Sequence, residues 1–404
     1  MKVKIKGVRL TMLLAPALVL AAPAFAQVRP TRLSDSQEPG SVIVFPKFIQ
    51  GTTVLPEGAA APITELEIGV VCPKGVVCPE HEPVKIRFHW VCGTTEADEA
   101  GSFICKETDF DITATVYEKI VLTPNGEPVG TYAAGLPSKF APAANCPNGG
   151  GYLIGWMITP TSDTPIKFDG LIGDAHLRPG SPASAANPFA DSPTALADYD
   201  AIPIQADPKL ANGAGITTNS SGALLFDGGA GHYQAVTGQV LGDIRYTNLT
   251  AGPTFTLGVL TLLTLDVRSN RPNNPTFVDL DFFGGNPSTI GSENQLSTST
   301  EFICWEEIPI TAINADLVTA EMGRKGVFVS GQAQKVPVSP GAPSDGVVGP
   351  VPLLGLAEVL EGGVFPPVAP WPRASFTGLF NSSNPVVGPP TPHFSPTASP
   401  QLLP

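Results

Sequence analysis

The sequence predicts an all-β protein: one or two antiparallel β-sandwich domains, Ig-like or jelly-roll-like, with long loops and a Pro-rich C-terminal tail. Three observations carry that expectation. The 404 residues include 42 Gly and 44 Pro, about a fifth of the chain against a usual ~12%, and neither residue suits a helix interior. Short runs of β-branched and aromatic residues recur, several of them alternating with period two. Gly, Pro and Asn turns separate these runs without regularly interspersed helices, which favours antiparallel sandwiches over a parallel sheet.

The first 26 residues have a different origin. Lys2, Lys4, Lys6 and Arg9 precede an uncharged run from Leu10 to Ala22, and Ala24-Phe25-Ala26 places small residues at the cleavage-determining positions. This is the layout of a secretory signal peptide, with processing expected before Gln27. Its apolar core is shorter than the roughly 20 residues a membrane-spanning helix needs. The expected location is therefore secreted or periplasmic, and the mature chain is not read as an integral membrane protein. Losing four cations and no anion moves the net charge from −13 to −17. Such a surface repels phosphate backbones, which excludes nucleic acid as a partner.

The elements follow in order. Residues 27–40 are polar and extended. Ser41 to Phe48 (SVIVFPKF) reads as a buried strand, and Ile63 to Cys72 alternates. Val84 to Cys92 places Val84, Ile86, Phe88 and Trp90 on one face and Lys85, Arg87 and His89 on the other, predicting one side in a core and one in water. Phe110 to Val121 continues the alternation, and Pro124-Asn125-Gly126 is a turn signal. Tyr152 to Thr159 is a compact apolar run, with Ile166 to Leu177 as its expected hairpin partner. Residues 179–234 read as a long surface connection with one short helix near Ser192 to Tyr199. Strands then resume at Gln239–Tyr246, Thr254–Val267, Thr276–Phe283, Phe302–Ala312 and Gly326–Gln334. The organisation expected is a signal peptide over 1–26, an extended N-terminus over 27–40 and an N-terminal β-sandwich region over 41–140. A second β-rich region over 141–335 carries the loop-rich insertion, and a largely irregular tail covers 336–404. Roughly a third of all prolines fall in that tail, where Leu353–Leu360 and Ala374–Phe380 retain enough apolar character to dock as edge strands.

Six cysteines survive processing: Cys72, Cys78, Cys92, Cys105, Cys146 and Cys304. An even number in an exported chain favours structural disulfides. Local closure gives Cys72 with Cys78 and Cys92 with Cys105 across an acidic loop, leaving Cys146 with Cys304. A metal reading, prompted by His81 and His89 near the first three cysteines, has the wrong spacing for the usual zinc sites.

Catalytic signatures are missing: no G-x-S-x-G elbow, H-E-x-x-H, P-loop or dinucleotide fingerprint occurs. Three places combine groups capable of chemistry. Asp169 to His176 (DGLIGDAH) joins two carboxylates and an imidazole, with core and turn roles as the simpler reading. Asp279 and Asp281, two apart on a strand, leave one face and with Glu293 or Asp266 can offer hard oxygens to Ca²⁺. A solvent-facing acidic stripe that blocks edge pairing is the simpler reading there. Trp90, Trp156, Trp305 and Trp371 suit sugar stacking, but the first three lie inside apolar strand patterns that favour core packing. Asn248-Leu249-Thr250 and Asn381-Ser382-Ser383 match a glycosylation acceptor pattern of low specificity.

Gly40 to Phe48 (GSVIVFPKF) resembles the opening strand of a loose group of uncharacterised exported bacterial β-sandwich proteins, whose mature chains begin with a "GSVLVFPxF"-like sequence. Val84–Cys92, Cys105–Ile112, Tyr152–Trp156, Lys167–Asp174 and Ser297–Trp305 are similar to further stretches of that group. The resemblance implies an exported β-rich protein and transfers no catalytic residue.

The function expected is that of an exported structural or interaction protein of the cell envelope or extracellular space, with no catalytic residue and no cofactor. Its partner would be another envelope or extracellular protein, or a glycan. The alternatives are a glycan-binding module or glycoside hydrolase, and a Ca-dependent adhesin built on Asp279 and Asp281.

Overall fold

Residues 42–45 (VIVF) leave no position for water, and the strand they form is buried on both faces. The computed structural model describes residues 38–50, 60–79, 82–97, 103–126, 128–129, 139–147, 149–180, 197–220, 222–244, 255–265, 274–284, 295–309, 327–335, 349–362, 373–378 and 380–381. Among these residues there is no helix. The strands run β1 (Val42–Ile49), β2 (Ala60–Val70), β3 (Pro83–Ala97), β4 (Phe103–Thr115), β5 (Lys119–Leu122), β6 (Pro128–Val129), β7 (Lys139–Phe140), β8 (Gly150–Ile158), β9 (Leu171–Gly180), β10 (Ala197–Asp200) and β11 (Ile202–Ile204). They continue as β12 (Gln239–Ile244), β13 (Phe255–Thr264), β14 (Thr276–Gly284), β15 (Gln295–Phe302), β16 (Trp305–Pro309), β17 (Val327–Lys335), β18 (Gly349–Pro350), β19 (Leu353–Gly362), β20 (Arg373–Gly378) and β21 (Phe380–Asn381).

Five antiparallel sheets result among the described residues, the smallest being the two-stranded pair β6-β7. The first has the order β11-β1-β8-β3-β4 and the second β10-β9-β2-β5. The third runs β15-β14-β17-β12-β21 with β18 beside β17, and the fourth β16-β13-β19-β20. The all-β sandwich class expected from composition is the class observed. Residues 150–204 supply β8 to β11, which complete the two sheets that β1 to β5 begin. The first pair of sheets therefore runs past residue 140, because β8 sits between β1 and β3.

Three apolar layers hold these sheets together. Ile43, Phe45, Ile86, Phe88, Trp90, Leu153 and Met157 of the first sheet meet Leu66, Ile68, Leu171 and Ala175 of the second. The opposite face of the first sheet presents Val42, Val44, Tyr152, Ile154 and Trp156 to a second layer. A third layer joins Val278, Leu280 and Phe282 of the third sheet to Leu260, Leu262 and Leu353 of the fourth. The first sheet is thus buried on both sides, which explains why β1 and β8 are continuous apolar runs instead of alternating ones.

The structure corrects several expectations. The 179–234 segment is not a surface connection where it is described: Leu224, Phe226 and Tyr233 cover the first sheet from the second layer. No helix spans 197–199, where β10 pairs with β9, and residues 192–196 lie outside the described residues. The expected strand over 110–121 breaks at Tyr117, whose φ of 70° reverses the chain between β4 and β5. The turn at Pro124-Asn125-Gly126 forms, with Gly126 at φ 73°. Leu353–Gly362 is an interior strand between β13 and β20, not an edge strand. Signal-peptide residues 1–26 and residues 382–404 lie outside the described residues.

All six cysteines are paired, as Cys72–Cys78, Cys92–Cys146 and Cys105–Cys304. The expected Cys92–Cys105 and Cys146–Cys304 pairs are wrong for a reason of side-chain direction. Cys92 points into the first layer and Cys105 into the second, so one sheet stands between them. Three disulfides fit an oxidising, extracellular or periplasmic compartment.

Candidate functional site

Trp305 opens β16 directly after Cys304, and the disulfide to Cys105 delivers it against the first sheet. Its indole N–H donates to the Pro46 carbonyl at 2.7 Å. The ring lies where Gly93 and Gly150 carry no side chain; a Cβ at Gly93 would stand 2.1 Å from the ring, and one at Gly150 would stand 3.1 Å away. The two glycines therefore form the seat of this indole. Beside it opens a cleft of about 510 Å³, lined among others by Phe48, Glu301, Phe302, Trp305, Glu306 and Glu307. Burial pushes the Glu306 carboxyl above its usual range.

The same seam buries a charge. Lys47 lies where the β1–β8 register shifts between Phe45 and Phe48, and its ammonium lies between Glu307 and Glu358, 2.5 Å from the latter. Lys47 and Glu358 are almost wholly buried. Burial pulls the Lys47 amine down, but the two carboxylates together outweigh it and hold the amine above its usual value. The Tyr199 hydroxyl donates to the Lys47 carbonyl and accepts from the Lys47 N–H at 3.2 Å. This β1 segment is thus fixed by β10, β16 and β19 at once.

Of the three places singled out in the sequence, the first is divided. Asp169 accepts from the Ser41 hydroxyl at 2.6 Å and from the Ala206 N–H at 2.9 Å, a tie between β1 and the segment after β11. Asp174 and His176 lie on β9, not in turns, and face outward on the second sheet. His176 Nδ1 is 2.7 Å from Asp198 and Nε2 is 3.7 Å from Glu67, so carboxylates flank both ring nitrogens. Burial, then a hydrogen bond with Asp200, raises the Asp174 carboxyl. Among the described residues the polar partners of His176 are the carboxylates of Asp198 and Glu67, and no hydroxyl or thiol is among them.

Asp279 and Asp281 do leave one face of β14. The register partners of Asp279 are Ser299 and Gln332, and those of Asp281 are Ser297 and Ser330. Asp266 and Glu293 lie outside the described residues. Trp90 and Trp156 are fully buried and Trp305 is 8% exposed, which makes all three packing residues. Trp371 and His81 lie outside the described residues.

One constellation escaped the sequence reading. His89 lies directly opposite Asp109 in the β3–β4 pairing, and Glu107 lies opposite Val91 on the same face. His89 Nδ1 is 3.0 Å from Asp109 and in closer contact with Glu107. His89 and Glu107 are buried, whereas the Asp109 side chain is 49% exposed at the edge strand. Desolvation raises the Asp109 carboxyl, opposed by His89. The ring also packs on Trp156 at 4.5 Å between centroids. His89 was expected in water, but the second apolar layer covers that face of β3. Among the described residues this is the group of three whose ligand atoms all lie within 4.8 Å of one another. Its sequence signal was the Cys-bounded acidic hairpin, whose register shift between Val91 and Thr95 hides the partners.

No family model matches the chain, and no curated protein matches it. Among solved structures, one match is the N-terminal CBM22-1-CBM22-2 tandem domain of Xyn10C from Paenibacillus barcinonensis, at 10% identity. It covers 81% of this chain and 93% of that one at a TM-score of 0.16, a superposition that transfers neither fold nor ligand. No helix among the described residues is long and apolar enough to cross a membrane.

Proposed function

We propose that this chain is an exported structural or interaction protein of the cell envelope or extracellular space, matured by cleavage before Gln27. The observation that carries this reading is the Cys105–Cys304 bridge together with the Trp305 seat, which fasten the first sheet to β16. A body so fastened holds its loops and outer sheet faces in fixed relation, which suits display to a partner more than closure on a substrate. Fractionation of producing cells, with N-terminal sequencing and non-reducing peptide mapping, tests it. The expected result is an exported chain beginning at Gln27 with three intact disulfides. A cytoplasmic chain with reduced cysteines would overturn it.

The cleft beside Trp305 favours a second reading, glycan binding. The cleft is lined by Phe302 and by Glu301, Glu306 and Glu307, whose carboxylates are acceptors suited to sugar hydroxyls. A polysaccharide array scored for retention and for reducing-end release tests it. Retention that Glu306→Gln abolishes supports binding; no retention on any glycan removes this reading and leaves the first intact.

A further inference from the structure

We infer that the Cys72–Cys78 disulfide is a thiol–disulfide exchange site, opened and reclosed by an external dithiol, on a body whose other two disulfides stay shut. The first argument is burial. Cys92 and Cys146 lie within the first apolar layer and Cys105 and Cys304 within the second, all four at 5% exposure or less. Cys72 and Cys78 are half-buried and rest against the first layer from outside. Exchange requires a thiolate to reach a disulfide sulfur, so access separates this pair from the other two.

The second argument is the loop that the pair closes. Lys74 and Gly75 are exposed, a Cβ at Gly75 would meet nothing within 4 Å, and Val77 is 95% exposed. The loop carries no strand pairing: β2 ends at Val70, and the Val71 N–H still donates to the Gly170 carbonyl at 2.8 Å. A bridge with a sequence separation of 6 constrains the unfolded chain far less than those with separations of 54 and 199, so the sheets survive its opening.

The third argument is the chemistry around the two sulfurs. Lys74, with its side chain 90% exposed, sets a cation two residues from Cys72, which favours thiolates there. The Val76 carbonyl lies 3.2 Å from Cys72 Sγ and is an acceptor in place for the Cys72 S–H of the opened loop. Cys78 stands between exposed Val77 and exposed Pro79, whereas Cys72 leads into buried Pro73, so attack falls on Cys78. One thiolate of the dithiol bonds Cys78 Sγ as the S–S bond breaks, and the electron pair leaves on Cys72 Sγ, which takes up a proton. The second thiolate then closes the reagent's own disulfide and releases Cys78 as a thiolate. The dithiol is oxidised, the loop has gained its two electrons, and an oxidised reagent reverses the sequence. Opening frees Val77, which with Tyr117 makes up the exposed large apolar side chains among the described residues, from a fixed position. That consequence for display rests on the function proposed above; the exchange does not.

The test uses the mature oxidised chain without denaturant, in one arm with dithiothreitol and in another with reduced thioredoxin. Samples quenched over time with N-ethylmaleimide are peptide-mapped. Cys72 and Cys78 should be alkylated about tenfold faster, or more, than the other four cysteines, with the circular dichroism of the strands unchanged. Oxidised glutathione should then close the pair against further label. At equal dithiol concentration, the faster arm tells a protein reductant from a small one. Lys74→Glu, at an exposed side chain, should slow opening by dithiothreitol and leave the strand signal as it was. Labelling of Cys92 or Cys105 at the same rate overturns the inference, as does a Cys72–Cys78 pair that opens only when the strands unfold.

Discussion

The indole N–H of Trp305 donates to the Pro46 carbonyl at 2.7 Å, joining positions 259 residues apart in the chain. Because the ring occupies the space over Gly93 and Gly150, seat and occupant must fail together. Trp305→Ala should cost about 3–5 kcal/mol, the usual range for deleting a buried aromatic side chain. Gly93→Ala should expel the ring and cost about 1–3 kcal/mol. Urea unfolding followed by Trp fluorescence reads both. A Gly93→Ala midpoint equal to that of the parent chain would show that the indole sits elsewhere.

The three disulfides should contribute unequally. Chain-entropy reasoning assigns about 5 kcal/mol to the Cys105–Cys304 bridge, with a sequence separation of 199, and about 2 kcal/mol to Cys72–Cys78, with a separation of 6. The double substitution Cys105→Ser/Cys304→Ser should therefore lower the thermal midpoint well below that of Cys72→Ser/Cys78→Ser. Equal losses in calorimetry would contradict the ranking.

How far the fold was legible depends on what a sequence pattern encodes. Ser41–Phe48 read as a buried strand and Tyr152–Thr159 as a compact apolar run, and the structure buries both β1 and β8 on two faces, since an unbroken apolar run has no water side. The β3 alternation sorted Phe88 from His89 correctly, yet alternation says which residues share a face, not what covers that face. The covering residues Leu224, Phe226 and Tyr233 sit among Gly-rich turns with no period to reveal them. Cysteine pairing failed for a related reason: proximity along the hairpin linked Cys92 to Cys105, while pleat direction sent them to opposite layers. The His89 site needed the hairpin register. Counted from Ala97 and Phe103 without the irregularity, a regular hairpin would set Asp111 opposite His89 in place of Asp109.

Lys47 tests the seam between β1, β16 and β19. Lys47→Ala strands Glu358 in a buried position facing Glu307 and should cost about 3–5 kcal/mol, the range for breaking a buried pair. Removing the charges together, as Lys47→Met with Glu358→Gln and Glu307→Gln, should recover most of that loss, because the desolvation cost disappears with them. Denaturation of the single and triple variants decides it. A single variant as stable as the parent would show that water reaches this ammonium.

Stability should fall steeply in alkali. Tyr199 and Tyr233 are buried, and burial raises both phenols above the usual tyrosine range. A group whose folded value is raised keeps its full contribution below the unfolded value and loses it as pH climbs toward the folded one. For these phenols the loss begins near pH 10, where unfolded tyrosine ionises, at about 1.4 kcal/mol per pH unit for each. Lys47, held above its usual value by Glu307 and Glu358 against the opposing effect of burial, adds a third loss of the same sign beginning near pH 10.5. Tyrosinate absorbance and circular dichroism recorded together from pH 8 to 12.5 test the linkage. The chain has six tyrosines, of which Tyr152 is buried as well, and the absorbance of at least Tyr199 and Tyr233 should appear only with the loss of β structure. Tyr233→Phe should shallow the alkaline limb by one proton. If all six phenols titrate while the strand signal is intact, Tyr199 and Tyr233 are not shielded from water in the folded chain.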